Sequence, residues 1–313
     1  MNILSIFNWL EILTKNVIVL DGGGVRGLFA LEIFRRISHA QSKPLSTLVH
    51  MVVGVSAGAL VGTIIALGLL DDEKSSDNEC ESLCKLMPRF FGQEQRAGQW
   101  FRPKYDGVGK TKVLQSVIGA RTFRDVKIPL VIICCKCNGA PVPFCSWDPK
   151  HADIPLALLL DASSAAPTFF PPVRVTGIWF TDGGVRANKP LINALLIAME
   201  FFEKGDLHFL SIGTLSTHEG NVPDSSVPLM GIIGWLKYGI VDMIMGVQDD
   251  TPERIMRAFF DKRFLRLECA CDNVRLDEAS AERHTLLKNA ASATWSMNHE
   301  QILNFMRCSE DVK

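Results

Sequence analysis

Five short runs along the chain are apolar almost without interruption: 17–20, 51–53, 130–134, 179–181 and 207–212. Runs of this length rich in Val, Ile and Leu predict strands buried on both faces, because a strand with one wet face alternates apolar and polar positions instead. Between them lie stretches in which apolar residues recur at helical spacing: 27–38, 57–70, 112–118 and 191–202. A last helical stretch, 286–305, follows near the end. Strands alternating with helices predict an α/β fold, a mostly parallel central sheet flanked by helices. The polar segment 71–81 and the Gly/Ser/Pro-containing stretch 216–228 read as surface loops. No internal repeat divides the chain, so residues 16–313 are expected to form one catalytic domain whose helical C-terminal part packs back on it.

Two apolar segments need separate treatment. Residues 49–70 contain no Asp, Glu, Lys or Arg, and Gly54, Gly58 and Gly62 fall at small-xxx-small spacing, so a hydropathy window alone would read a membrane span. A β-branched start followed by a glycine-flanked serine divides the segment, and the remaining helix is only about four turns long. A strand, a tight turn and a buried helix account for it better. Residues 1–15 have no basic start and no small-residue cleavage site, which argues against a signal peptide. Ile3, Ile6, Trp9, Leu10 and Leu13 share one side of a helical wheel. An amphipathic N-terminal helix is expected there, lying at a membrane interface or packed on the protein's own core or on a second copy in a homodimer.

Composition removes several classes. With 33 Lys+Arg against 34 Asp+Glu, the net charge of −1 provides no field to attract nucleic acid. The basic run Arg254, Arg257, Lys262, Arg263 and Arg266 reads as a solvated face. Nine cysteines, three of them crowded at 134, 135 and 137, fit a reduced, cytoplasmic setting. Neither Cys80/Cys84 nor Cys269/Cys271 is matched by a second pair or a histidine at zinc spacing, and no acidic calcium loop occurs. No metal and no cofactor are expected.

Three motifs carry chemistry. The first, Asp21-Gly22-Gly23-Gly24-Val25-Arg26-Gly27, lies between a strand and a helix and presents backbone N–H groups to an anion. It also fits a dinucleotide-binding loop, but such a site needs an acidic residue about 20 positions on, and there is none between Glu32 and Asp71. The oxyanion of acyl transfer is the other candidate. The second, Gly54-Val55-Ser56-Ala57-Gly58, is the pattern of a nucleophile elbow, in which glycines two residues either side of the serine avoid a clash. A serine hydroxyl needs a base. By chain order alone His208, His218, His284 or His299 could complete a triad, yet none has a supporting local pattern. The third motif, Asp182-Gly183-Gly184 after a strand, leaves a carboxylate uncovered at a strand end and is the alternative base.

These motifs, with the block from Ser163 to Pro172, occur in the order found in the patatin-like phospholipase family, and the chain resembles that family over about 17–213. The resemblance implies a patatin-like variant of the α/β-hydrolase architecture. It implies Ser56 as nucleophile, Asp182 as base, Gly22, Gly23, Gly24, Arg26 and Gly27 as oxyanion loop, Gly54 and Gly58 as elbow, and Gly183 and Gly184 as base motif. It further implies calcium-independent hydrolysis of phospholipid or other acyl-lipid substrates at a transient membrane surface, with the protein cytoplasmic or peripheral to the membrane. Some family members are switched on by a small ligand. Asn188-Lys189-Pro190 and the Ser211 to Leu215 turn depart from the family pattern near the expected acyl channel.

Overall fold

The structure, a computed structural model, describes residues 14–92, 94, 102–202, 206–214, 250–269, 271 and 274–307. The segments 1–13 and 216–228, expected as an amphipathic helix and a loop, lie outside them. Eight strands form one sheet: β1 (Thr14–Leu20), β2 (Met51–Val55), β3 (Leu130–Lys136), β4 (Pro141–Cys145), β5 (Val173–Val175), β6 (Ile178–Asp182), β7 (Asp206–Ile212) and β8 (Phe264–Leu267). Their order is β5-β6-β3-β2-β1-β7-β8, with β4 also on β3. The block β3-β2-β1-β7-β8 is parallel, whereas β4, β5 and β6 pair antiparallel. Thr14 and Lys15, assigned from sequence to the N-terminal helix, belong to β1.

Ten α-helices lie among the described residues: α1 (Gly27–Ala40), α2 (Leu45–Leu48), α3 (Ala57–Ala66), α4 (Glu73–Phe91), α5 (Val108–Ile118), α6 (Leu156–Ser163), α7 (Gly184–Ala187), α8 (Leu191–Phe201), α9 (Thr251–Phe260) and α10 (Ala281–Arg307). The period-two geometry of a strand sends Ile18, Leu20, Val52 and Ile132 into one core with α1, α3, α4 and α10. The intervening Val17, Val19, Val53 and Val131 enter a second core with α8 and α9. Both faces are covered, so the central strands read as continuous apolar runs. No helix of the described residues is long and apolar enough to cross a membrane.

Two further sequence expectations fail. Residues 73–81 are not a loop but the first part of α4: Asp72 caps it by accepting the Ser75 N–H at 2.9 Å, and Ser76, Cys80, Leu83 and Met87 form its buried stripe. The stripe is narrow, and the polar majority concealed it. Arg266 does not belong to a solvated face. It lies on β8, its side chain 1 % exposed, and grips Asp21 through Nη1–Oδ1 at 3.1 Å and Nη2–Oδ2 at 2.5 Å. A charge this deep is stable only when paired, and Ser211 Oγ and Glu268 take its remaining donors.

Candidate active site

The register of β3 creates the site. Val55, the last residue of β2, pairs with Ile133, and Asp182, the last residue of β6, pairs with Cys134, the next residue along. β4 occupies the other edge of β3, so β2 and β6 meet end to end along one edge. The residues at this junction, Ser56 and Asp182, are thereby brought together: Ser56 Oγ donates to Asp182 Oδ2 at 2.8 Å.

Ser56 heads α3 with φ 54° and ψ −123°, a conformation that costs a non-glycine residue about 1–3 kcal/mol and projects the hydroxyl from a tight turn. Tight packing explains the flanking glycines: a Cβ on Gly54 would lie 2.5 Å from the Gly58 carbonyl oxygen, and one on Gly58 would strike the Leu20 carbonyl. The Ser56 N–H donates to Ser163 Oγ at 2.9 Å, and that hydroxyl donates to the Ile133 carbonyl at 2.7 Å. Two residues on, the Ala165 carbonyl accepts the Asp182 N–H at 2.9 Å. The block beginning at Ser163 therefore braces both partners, a role that sequence pattern alone did not reveal.

Asp182 is 1 % exposed. Burial disfavours its charged form and raises its pKa from 3.8 to about 6, against the lowering effects of the Gly184 N–H at 2.7 Å, the Ser56 hydroxyl and the Lys110 charge. Lys110 is itself buried and paired with Asp161 at 2.9 Å. Gly183 packs against the Ile133 carbonyl, and Gly184 opens α7.

The glycine loop crosses in front of the pair. Gly22 donates its N–H to the Asn188 carbonyl at 3.0 Å, and Val25 donates to Leu276 at 2.9 Å. Thr214 Oγ1 donates to the Gly22 carbonyl, and Arg26 Nε to the Gly23 carbonyl at 3.2 Å. Among the described residues this leaves the N–H groups of Gly23 and Gly24 without a protein acceptor, and these two residues line the cavity in front of Ser56. Gly27 begins α1 against Ala57. Arg26 is buried beside the cavity. The cavity measures about 60 Å³ and is walled by Leu60, Met87, Phe90, Phe91, Phe169 and Phe170.

No histidine competes for Ser56 among the described residues. His208 pairs with Asp206 at 2.9 Å, and its register partner Asn16 places it near the amino end of β1, remote from Ser56. His284 and His299 lie on α10, and His218 lies outside the described residues. The described residues bring metal-ligand side chains together only at His39, Glu73 and Asp77, between the ends of α1 and α4, where Arg35 and His39 already pair with Asp77.

A patatin-like phospholipase family model matches residues 18–195, more than half of the chain. The chain belongs to the patatin-like phospholipase family. Among its relatives are a cGAMP-activated phospholipase of Vibrio cholerae, 28% identical over 88% of this chain and 88% of the relative, and one of Pseudomonas aeruginosa, 24% identical over 82% and 78%. A calcium-independent phospholipase A2-gamma of Mus musculus is 26% identical over 85% of this chain but only 36% of its own length. The solved structure of VipD from Legionella pneumophila shares the fold with a TM-score of 0.52 at 14% identity, covering 92% of this chain and 67% of that one. The family match ends before β7, so Thr214, Arg266 and Leu276, which hold the glycine loop from behind, lie beyond it.

Proposed function

We propose that this patatin-like protein is a serine acyl hydrolase that cleaves fatty-acyl esters of membrane phospholipids through a Ser56–Asp182 dyad, residues 16–313 working as one catalytic domain. The observation that carries the reading is the 2.8 Å hydrogen bond from Ser56 Oγ to a buried carboxylate whose pKa is raised to about 6. A base of that pKa is ionised at neutral pH yet basic enough to accept the proton as Oγ attacks the ester carbonyl. The oxyanion is held by the N–H groups of Gly23 and Gly24. Asp182 then returns its proton to the departing alkoxide, and water, deprotonated by the same carboxylate, releases the fatty acid from the acyl-enzyme. Calcium has no step in this scheme. The reduced cysteines and the lipid substrate fit a cytoplasmic protein working at a membrane surface.

A second reading, in which a small ligand switches the enzyme on, is favoured by relatives named cGAMP-activated phospholipases. The test is mass-spectrometric analysis of mixed-lipid vesicles incubated with the protein, with and without a cyclic dinucleotide. Free fatty acid and lysophospholipid are expected, and Ser56→Ala abolishes both. Product formation by that variant at the wild-type rate sinks the reading.

A further inference from the structure

β5 and β6 are joined by the two residues Thr176 and Gly177, both at positive φ (46° and 88°), as a tight type I′ hairpin turn requires. The turn therefore presents the start of β6 rigidly. That start is Ile178 and Trp179, 44 % and 52 % exposed. Single exposed apolar residues are ordinary on soluble proteins, but this pair has a particular setting. The neighbouring β3–β4 turn is tied to it by the Cys137 N–H on the Trp179 carbonyl at 3.1 Å. Three cations surround the two tips. Lys136 ends β3, Arg174 lies with its guanidinium 6.0 Å from the Trp179 ring centre, and Arg186 Nη2 rests 3.4 Å from where a Gly139 side chain would begin. None of the three pairs with a carboxylate among the described residues, and neither 136–144 nor 173–181 contains an Asp or Glu.

From this arrangement we infer that the paired tips of β5–β6 and β3–β4 are the docking edge for an anionic lipid surface. Trp and Ile partition into the headgroup boundary, and the cations pair with lipid phosphates. The position suits the hydrolase reading on which this inference rests. β3 runs three residues past the level of Val55, so its end stands roughly 10 Å beyond that level on the side of the sheet where Ser56 emerges. Trp179 is likewise three residues from Asp182 along β6. An apolar tip immersed about 5–10 Å brings the dyad close to the plane of the ester groups.

The test uses the full chain carrying Ser56→Ala, which leaves vesicles intact, in flotation with phosphatidylglycerol or phosphatidylcholine vesicles. The parent is expected to bind the anionic vesicles more tightly, and Ile178→Ser with Trp179→Ser to weaken that binding at least about tenfold. Arg174→Gln with Lys136→Gln should weaken it about thirtyfold, at about fivefold per cation, with little change on neutral vesicles. In the Ser56 protein all four substitutions leave turnover of a soluble short-chain ester unchanged, showing that the fold and dyad are intact. A parent that binds no anionic vesicle, variants that bind like the parent, or a change from dimer to monomer in sedimentation that makes the edge a contact between copies would each overturn the assignment. Absence of soluble-ester turnover in the wild type would instead count against the hydrolase reading, since the flotation comparison does not depend on catalysis.

Discussion

Replacing Asp182 by Asn should inactivate the protein and stabilise it at the same time. The carboxyl titrates at about 6 in the folded protein against 3.8 in a free chain, because its burial outweighs two hydrogen bonds and the Lys110 charge. A rise of that size is worth about 3 kcal/mol at about 1.4 kcal/mol per tenfold change in affinity for the proton. The folded state holds the proton more tightly than the unfolded chain, so the stabilisation is fully present below pH 3.8 and is lost as pH rises through about 6. Above that the wild type carries a buried, disfavoured anion. Asn keeps the acceptor for Gly184 and a polar partner for Ser56 but has no charge. Urea unfolding of both proteins between pH 4 and 8 should therefore show nearly equal stability at the acid end and an advantage for Asp182→Asn approaching about 3 kcal/mol at pH 8. Turnover of a soluble ester should fall by at least about two orders of magnitude, the usual scale of a general base. A variant that is less stable than the wild type at pH 8, or that retains turnover within tenfold, would refute the reasoning.

The same carboxylate sets the acid limb of wild-type activity: kcat/KM should fall about tenfold per pH unit below about 6, and a profile flat to pH 4.5 would exclude Asp182 as the base. Hydrolysis should be unchanged by EGTA, and activity lost to chelation and restored by Ca²⁺ would contradict the metal-free scheme. Arg266→Met leaves Asp21 buried without its partner and should cost about 3–5 kcal/mol in urea unfolding. Restoration of most of that loss by adding Asp21→Leu would identify the uncompensated charge, and not lost packing, as its source.

Local sequence determined the parts that depend on neighbours in the chain. Uninterrupted apolar runs at 17–20, 51–53 and 130–134 already specified strands buried on both faces, since the period-two geometry sends alternate residues to opposite cores wherever the strand sits. Gly54 marks the elbow because the clash it avoids, with the Gly58 carbonyl, is set by the turn at Ser56, whereas Gly58 makes room for the Leu20 carbonyl of the neighbouring strand. What remained hidden depends on residues far apart in the chain. Ser56 and Asp182 are 126 positions apart and meet only because β2 and β6 abut on one edge of β3. The antiparallel run of β6 leaves no mark in a five-residue strand, Ile178–Asp182. Arg266 resembles the other residues of its basic run because Asp21, the buried carboxylate it grips, lies 245 positions away. In sequence the Gly22 amide is indistinguishable from those of Gly23 and Gly24, and only the fold sets the Asn188 carbonyl against it. The pKa of Asp182, on which the chemistry turns, is a property of burial, and burial exists only once the whole sheet and its helices have closed around the site.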